Sequence, residues 1–396
     1  MKEVAIIGFG LHPWGKFPDM SWDDLAVYAA EKALKDANVE WKDIQLICGG
    51  EDRFSGNQGI LAGSTLHARL GPTGIPTVNC YNACATGGYA LKTAQSFINS
   101  GFCDLVLVVA GSVSPKGFFG PTQIREFDPT DFDTQRFRIL GQTNPTGFAQ
   151  QAVRRMHLYG LTEDDIAEVK VKNSRHASAN PYTRFKKIYT KEEVLNSPLV
   201  CYPLRLFEIC ATSDGGAALV VCSMEKAKQY TTKPVIVASI GVASPDHYAP
   251  ESPRGGFGMN IDKPDPSRKD CLTPPARAAY EEAGIGPEDI DMAEVYDLAA
   301  SLELYWYEAT GLCKEGEAEA LLREGATRLG GRIPVNTSGG VSSSGEAIPA
   351  QAMFQICEHV QQLRGIAGER QVEGAKVGLA INRGLGGNSS CIITKI

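Results

Sequence analysis

The segment YNACATGGYALKTA, residues 81–94, places Cys84 among small residues where a strand gives way to a helix. A thiol at a helix N-terminus sees the positive end of the backbone dipole, which lowers its pKa and favours the thiolate. The Ala-Thr-Gly-Gly that follows leaves room for a substrate carbonyl, and the backbone N–H of Cys84 could help to bind an oxyanion. Cys84 is thus either a nucleophile or a buried structural thiol, and position alone does not choose. A second candidate is Glu346, in GEAIPAQAMFQICEHVQQL, residues 345–363. At a helix start a carboxylate is a favourable cap. Within reach of Cys84 or of a substrate carbon it is a general base. Spacing by itself favours the cap. The stretch NRGLGG, Asn382 to Gly387, is either a tight turn between two strands or a source of backbone N–H groups. A phosphate-loop role is weak, because no Gly-Lys-Ser/Thr follows. Arg184, Lys186 and Lys187 lie on a basic loop that either meets phosphates or faces water.

These residues need a scaffold, and the chain reads as alternating strands and helices. Strands are expected at 4–9, 44–48, 76–80 and 104–111, with helices at 23–37 and 85–99. Ser21 and Asp23 are available as caps for the first helix. The unbroken apolar run DLVLVVAG marks a central parallel strand, and the whole is an α/β layered fold. The second half repeats the first. KALKDANVEWKDIQLI (32–47) and AAYEEAGIGPEDIDMA (278–293) align Ala33, Ala37, Asp43 and Ile44 with Ala279, Ala283, Asp289 and Ile290, a constant offset of 246. The helix opening at Cys84 then has a counterpart at 345–363, with an offset grown to 262 (346 − 84) by an extra helix around 315–328. A pseudo-twofold would bring the two helix starts together. Residues 115–205 differ in kind, being rich in Pro, Asn, Arg, Lys and aromatics, and read as a long insertion or lid.

Composition narrows the class. The net charge of −7 without a basic block argues against nucleic acid. The longest apolar run is too short to span a bilayer, and the N-terminus lacks signal-peptide features. Eleven cysteines, scattered and without a CxxC, fit mostly buried thiols in a reducing cytoplasm. Cys80 fits buried packing. Six histidines show no metal-ligand spacing, so no metal is expected in this chain and each histidine is read as structural or surface.

Several motifs in order resemble the thiolase family, nearest to its sterol-carrier-protein type. They are GFGLHPWGKFPDMSWDDLA, VNCYNACATGG, CATSDGGAALVV, AEVYDLAASLEL, VNTSGGVSSSGEA and NRGLGGNSS, and they cover nearly the whole chain. The resemblance implies a thiolase fold: a duplicated, five-layered αβαβα core with a lid insertion in the first half. It places the N-terminal half at 1–222, with the lid at about 115–205, and the C-terminal half at 223–396. It puts Cys84 on the family's nucleophile, which forms an acyl-enzyme. The family has histidine where this chain has Tyr296, Gly-His-Pro where it has Gly345-Glu346-Ala347, and an acid/base cysteine where it has Gly378. Glu346 can take over proton abstraction if burial raises its pKa. Tyr296 can donate a hydrogen bond to a thioester or ketone oxygen. Gly384 and Gly386 can bring N–H groups to a second oxyanion.

The Tyr-Asp and Gly-Glu-Ala pair resembles two groups within the family. One is the thiolase subunit that cleaves aryl 3-oxoacyl-CoAs such as benzoylsuccinyl-CoA. The other is the steroid side-chain retro-aldolases, which cleave a 3-hydroxyacyl-CoA without an acyl-enzyme. Cys84, and the absence of a tyrosine in Val341-Ser342-Ser343-Ser344, favour the thiolase, a 3-oxoacyl-CoA acyltransferase using free coenzyme A. Arg184, Lys186 and Lys187 are then candidates for the phosphates of coenzyme A. The resemblance also implies a homodimer and a separate small partner with a zinc ribbon and an OB fold, of the DUF35 type, giving a heterotetramer in the cytoplasm.

Overall fold

A computed structural model describes residues 3–115, 143–231, 233–244, 271–384 and 387–396. The first half contributes β1 (Val4–Leu11), α1 (Trp22–Ala37), β2 (Leu46–Gly50), β3 (Thr77–Cys80), α2 (Thr86–Asn99) and β4 (Leu105–Ser112). After these come α3 (Asn144–Tyr159), α4 (Glu163–Ser178) and β5 (Gly215–Ser223). The second half contributes β6 (Val235–Ala243), α5 (Pro274–Ala283), β7 (Met292–Glu294), α6 (Ala300–Ala309), α7 (Gln351–Leu363), β8 (Val377–Arg383) and β9 (Ser389–Lys395). The expected first-half elements thus form within two residues of their sequence bounds. Ser21 caps α1 in a capping box with Asp24. Asp23, the other expected cap, is instead paired with Arg69.

The strands run in the order β3-β2-β4-β5-β1-β6-β9-β8-β7. A short antiparallel ladder, Val4–Ile6 against Val235–Val237, joins the two halves. Outward from that seam the first half reads β1-β5-β4-β2 and the second β6-β9-β8-β7. Each has two antiparallel pairings and then a parallel one. The duplication read from sequence is therefore present in the topology. The offset of 246 also holds: α1 and α5 end at Ala37 and Ala283, and β2 and β7 begin at Leu46 and Met292. α1 covers the outer face of the first half and α5 that of the second. α2 and α7 lie between, touching strands of both halves and each other, and α7 is buried along its whole length. That is the five-layered αβαβα arrangement, and it puts the starts of α2 and α7 at the centre of the molecule.

The register of this second correspondence corrects the sequence reading. α2 follows a 3₁₀ turn at Ala83–Ala85, and α7 follows one at Ile348–Ala350. The offset is therefore 265 (351 − 86 and 348 − 83), not 262. The counterpart of Cys84 is Pro349, and Glu346 lies before the turn rather than at the helix start.

Of the insertion expected at about 115–205, residues 116–142 lie outside the described residues, and the rest is more than a lid. α3 and α4 pack on the second half, which buries Arg155 of α3 and much of the polar surface of α4. Arg155 of α3 is buried between Glu308 and Glu319, bonded to both carboxylates. Lys172 of α4 pairs with the fully buried Glu303 at 2.6 Å. Among the described residues no helix is long and apolar enough to cross a membrane.

Candidate active site

Cys84 sits in a strained bend. Asn82 is extended in φ, at −145°, and Ala83 adopts a φ of +48°, a left-handed conformation that alanine rarely takes. Thr86 holds the bend closed: its hydroxyl donates to the Ala83 carbonyl at 2.6 Å and accepts the Asn82 N–H at 2.9 Å. The bend turns the Cys84 side chain towards the second half. From the other side Gly384 leans on the same bend. A Cβ at Gly384 would lie 1.9 Å from the Asn82 carbonyl oxygen, so only glycine allows this approach.

Glu346 is delivered by a different device. Gly345 has a φ of +75°, and a Cβ there would meet the Ser213 hydroxyl at 2.2 Å. The Glu346 backbone bonds to the strand-like segment 211–213, through its N–H to Ala211 and its carbonyl from the Ser213 N–H. Its carboxyl group caps no helix, and neither the 3₁₀ turn nor α7 carries a side-chain cap. The capping role is therefore excluded. Tyr296 follows β7 on a turn whose ends are fixed: the Val295 N–H bonds to the Asn336 side chain, and Trp306 donates to the Tyr296 carbonyl.

The three side chains meet. The Tyr296 hydroxyl donates to Glu346 Oε1 at 3.0 Å, and the Cys84 thiol interacts with both groups. Cys84 is 7% exposed and Glu346 0%. Glu346 Oε2 has no partner of standard hydrogen-bond geometry among the described residues. Leaving such a group unsatisfied costs about 1–3 kcal/mol, a cost that functional sites carry. Burial pushes the Glu346 carboxyl up to about 8, more than its bonds to Cys84 and Tyr296 pull it down. Burial first, and then the neighbouring Glu346, push the Cys84 thiol well above its ordinary value. Burial does the same to the Tyr296 phenol. The dipole-lowered thiolate expected from sequence is thus corrected. Burial is the largest cause in each case and favours the protonated carboxyl, thiol and phenol.

The other expected residues fall in several places. The Gly384 N–H closes its own turn onto the Asn388 carbonyl at 2.6 Å, and Gly386 lies outside the described residues. Arg184 is half-buried and donates to the Thr212 carbonyl at 2.5 Å, beside the Glu346 backbone. Lys186 is exposed, and Lys187 is exposed and paired with Glu193. Gly378 lies near the start of β8, packed against Met292 and His359, while the Asn382 end of that strand leads into the glycine turn. Sequence reasoning missed Cys210, a buried thiol electrostatically coupled to Glu346 and Cys84. It also missed Asp297, Lys170 and Asn173, which hold the surrounding turns. Asp297 could have been flagged, since it stands next to Tyr296 in an apolar stretch.

Comparison with known proteins agrees with this architecture. The family model described as "Thiolase, N-terminal domain" matches residues 4–225, and "Thiolase C-terminal domain-like" matches 260–395. The chain belongs to the thiolase family. It is 35% identical to an acetyl-CoA acetyltransferase of Methanothermobacter thermautotrophicus, over 99% of each chain. It is 34% identical to the benzoylsuccinyl-CoA thiolase subunit BbsB of Thauera aromatica, over 94% of this chain and 92% of that one. Among solved structures it is similar to the Ltp2-ChsH2(DUF35) aldolase, at a TM-score of 0.80 and 25% identity over 99% of this chain and 97% of that one. In this thiolase-family enzyme, an acyltransferase by its relatives, the thiol, phenol and carboxyl of the site are the groups to explain.

Proposed function

We propose that this thiolase-family chain cleaves a 3-oxoacyl-CoA, aryl or branched, with free coenzyme A through an acyl-Cys84 intermediate. The observation that carries the proposal is the meeting of Cys84, Tyr296 and Glu346 in one buried cluster. In it Glu346, as carboxylate, takes the Cys84 proton. The thiolate adds to the C3 carbonyl carbon, and Tyr296 with the Cys84 backbone N–H bonds the oxyanion that forms. The C2–C3 bond breaks, its electron pair passing to C2 as the enolate of the departing acyl-CoA. Glu346 returns the proton to C2. It then takes the proton of a coenzyme A thiol, whose sulfur attacks the acyl-cysteine and releases Cys84. One carboxyl group with a proton affinity near neutrality can serve both half-reactions, the work the family divides among histidines and a second cysteine.

Arg184, Lys186 and Lys187 are proposed for the coenzyme A phosphates, and Gly386 for the enolate oxygen; the expected part of Gly384 is corrected, because its N–H is committed to the Asn388 carbonyl. A homodimer carrying a small zinc-ribbon and OB-fold partner, in the cytoplasm, is proposed from the family resemblance and from the DUF35 named in the aldolase structure. That similarity also favours a second reading, retro-aldol cleavage of a 3-hydroxyacyl-CoA, in which Tyr296 and Glu346 act without the thiol. Product analysis separates them. Cleavage of an aryl 3-oxoacyl-CoA that requires added coenzyme A supports the thiolase. Release of an aldehyde or ketone from a 3-hydroxyacyl-CoA, with no coenzyme A requirement, would replace it.

A further inference from the structure

We propose that Asp297 is the positioning residue of this site: its carboxylate ties the turn that carries Tyr296 to the turn that carries Glu346, and its charge acts on Glu346. Asp297 is fully buried. Oδ1 accepts the Val341 N–H at 2.6 Å. Oδ2 accepts the Ser342 N–H at 3.4 Å and the Asn173 side chain at 2.9 Å. Val341 and Ser342 open the short helical turn Val341–Ser344, which leads through Gly345 to Glu346. The carbonyls of that turn are also held, Ser342 by Lys170, Ser343 by the Phe185 N–H and Ser344 by the Ser213 hydroxyl. Asp297 is the one of these anchors adjacent in sequence to a reacting group. It fixes Tyr296 and Glu346 relative to each other.

Its charge bears on Glu346. Glu303 from α6, Lys170 and Lys172 from α4, Glu294 from β7 and Glu346 itself all interact with Asp297. The two lysines offset its cost of burial. Burial, and then Glu303, push its own carboxyl up to about 7. Above that value Asp297 is ionised and adds to the forces holding the proton on Glu346. A negative charge placed there lets Glu346 give up its proton only late, and return it readily to carbon.

The inference rests on the proposed acyl-cysteine chemistry, and its test is chosen to separate the two. Iodoacetamide alkylation of Cys84 in the full chain is followed against pH by peptide mass spectrometry, with steady-state kinetics alongside. Alkylation of wild-type Cys84 is expected to rise through about pH 8, as Glu346 becomes able to take the thiol proton. No alkylation at any pH would contradict the nucleophile itself. In Asp297→Asn the midpoint is expected to move to lower pH by on the order of half a unit. Its kcat is expected to fall by about tenfold with KM little changed. Asp297→Glu keeps the charge and displaces the anchor, so its midpoint is expected to stay with wild type while kcat falls. An unmoved midpoint in Asp297→Asn, or wild-type kcat in Asp297→Glu if the first variant fails to fold, would overturn the role of Asp297.

Discussion

At the residue scale the decisive quantity is the proton on Glu346. With its carboxyl group pushed up to about 8 by burial, Glu346 is protonated below that pH and a base above it. kcat/KM for the free enzyme is therefore expected to rise with pH through about 8. Glu346→Gln is expected to lose that limb and to lower the rate by on the order of 100-fold or more. A pH profile of both proteins checks this. A glutamine variant with near-normal turnover and the same limb would remove Glu346 from the chemistry. Sequence had paired Cys84 with Glu346, and the structure brings them together. The sign of the thiol's shift is the part the sequence reading gets wrong. A helix start is visible in sequence, but the enclosure that raises the thiol depends on residues from both halves.

At the element scale, the short-range signals served well where they were local. The cap expected at Ser21 forms, Asp23 pairs with Arg69 instead, and the 246 offset, read from two short matching segments, is present. The offset of 262 fails because Cys84 lies inside the 3₁₀ turn before α2, whereas Glu346 lies before the matching turn at Ile348–Ala350. α4 was harder to read. EDDIAEVKVKNSRHAS looks like a solvated face, yet Lys170, Lys172, Asn173 and His176 are buried because the second half supplies carboxylates and carbonyls for them. α3 follows the same logic through Arg155. Removing one partner of a buried charge network leaves the others unpaired. Arg155→Ala is expected to destabilise the chain by about 3–5 kcal/mol, measured by denaturant unfolding. A loss below about 1 kcal/mol would mean that this network does not anchor α3.

At the scale of the whole molecule, several carboxyl groups are buried. Glu294 and Glu346 are pushed up to about 8, and Asp297 and Glu208 to about 7, in each case chiefly by burial. Each folded-state value lies above the unfolded one. Between the two values the folded chain binds more protons, so its stability falls as pH rises. The stabilisation is complete below the ordinary carboxylate range and is lost as pH climbs through about 7 to 8. Calorimetry is expected to give a lower melting midpoint at pH about 8.5 than at pH about 5.5. An equal or higher midpoint at the alkaline pH would show that these carboxyl groups are not held protonated by the fold. The central claim concerns Cys84, and intact-protein and peptide mass spectrometry after brief incubation with acetyl-, benzoyl- and succinyl-CoA tests it most directly. An acyl adduct on Cys84 that free coenzyme A discharges, and that Cys84→Ala lacks, is the expected result. No adduct from any acyl-CoA, beside aldehyde or ketone release from a 3-hydroxyacyl-CoA, would contradict it.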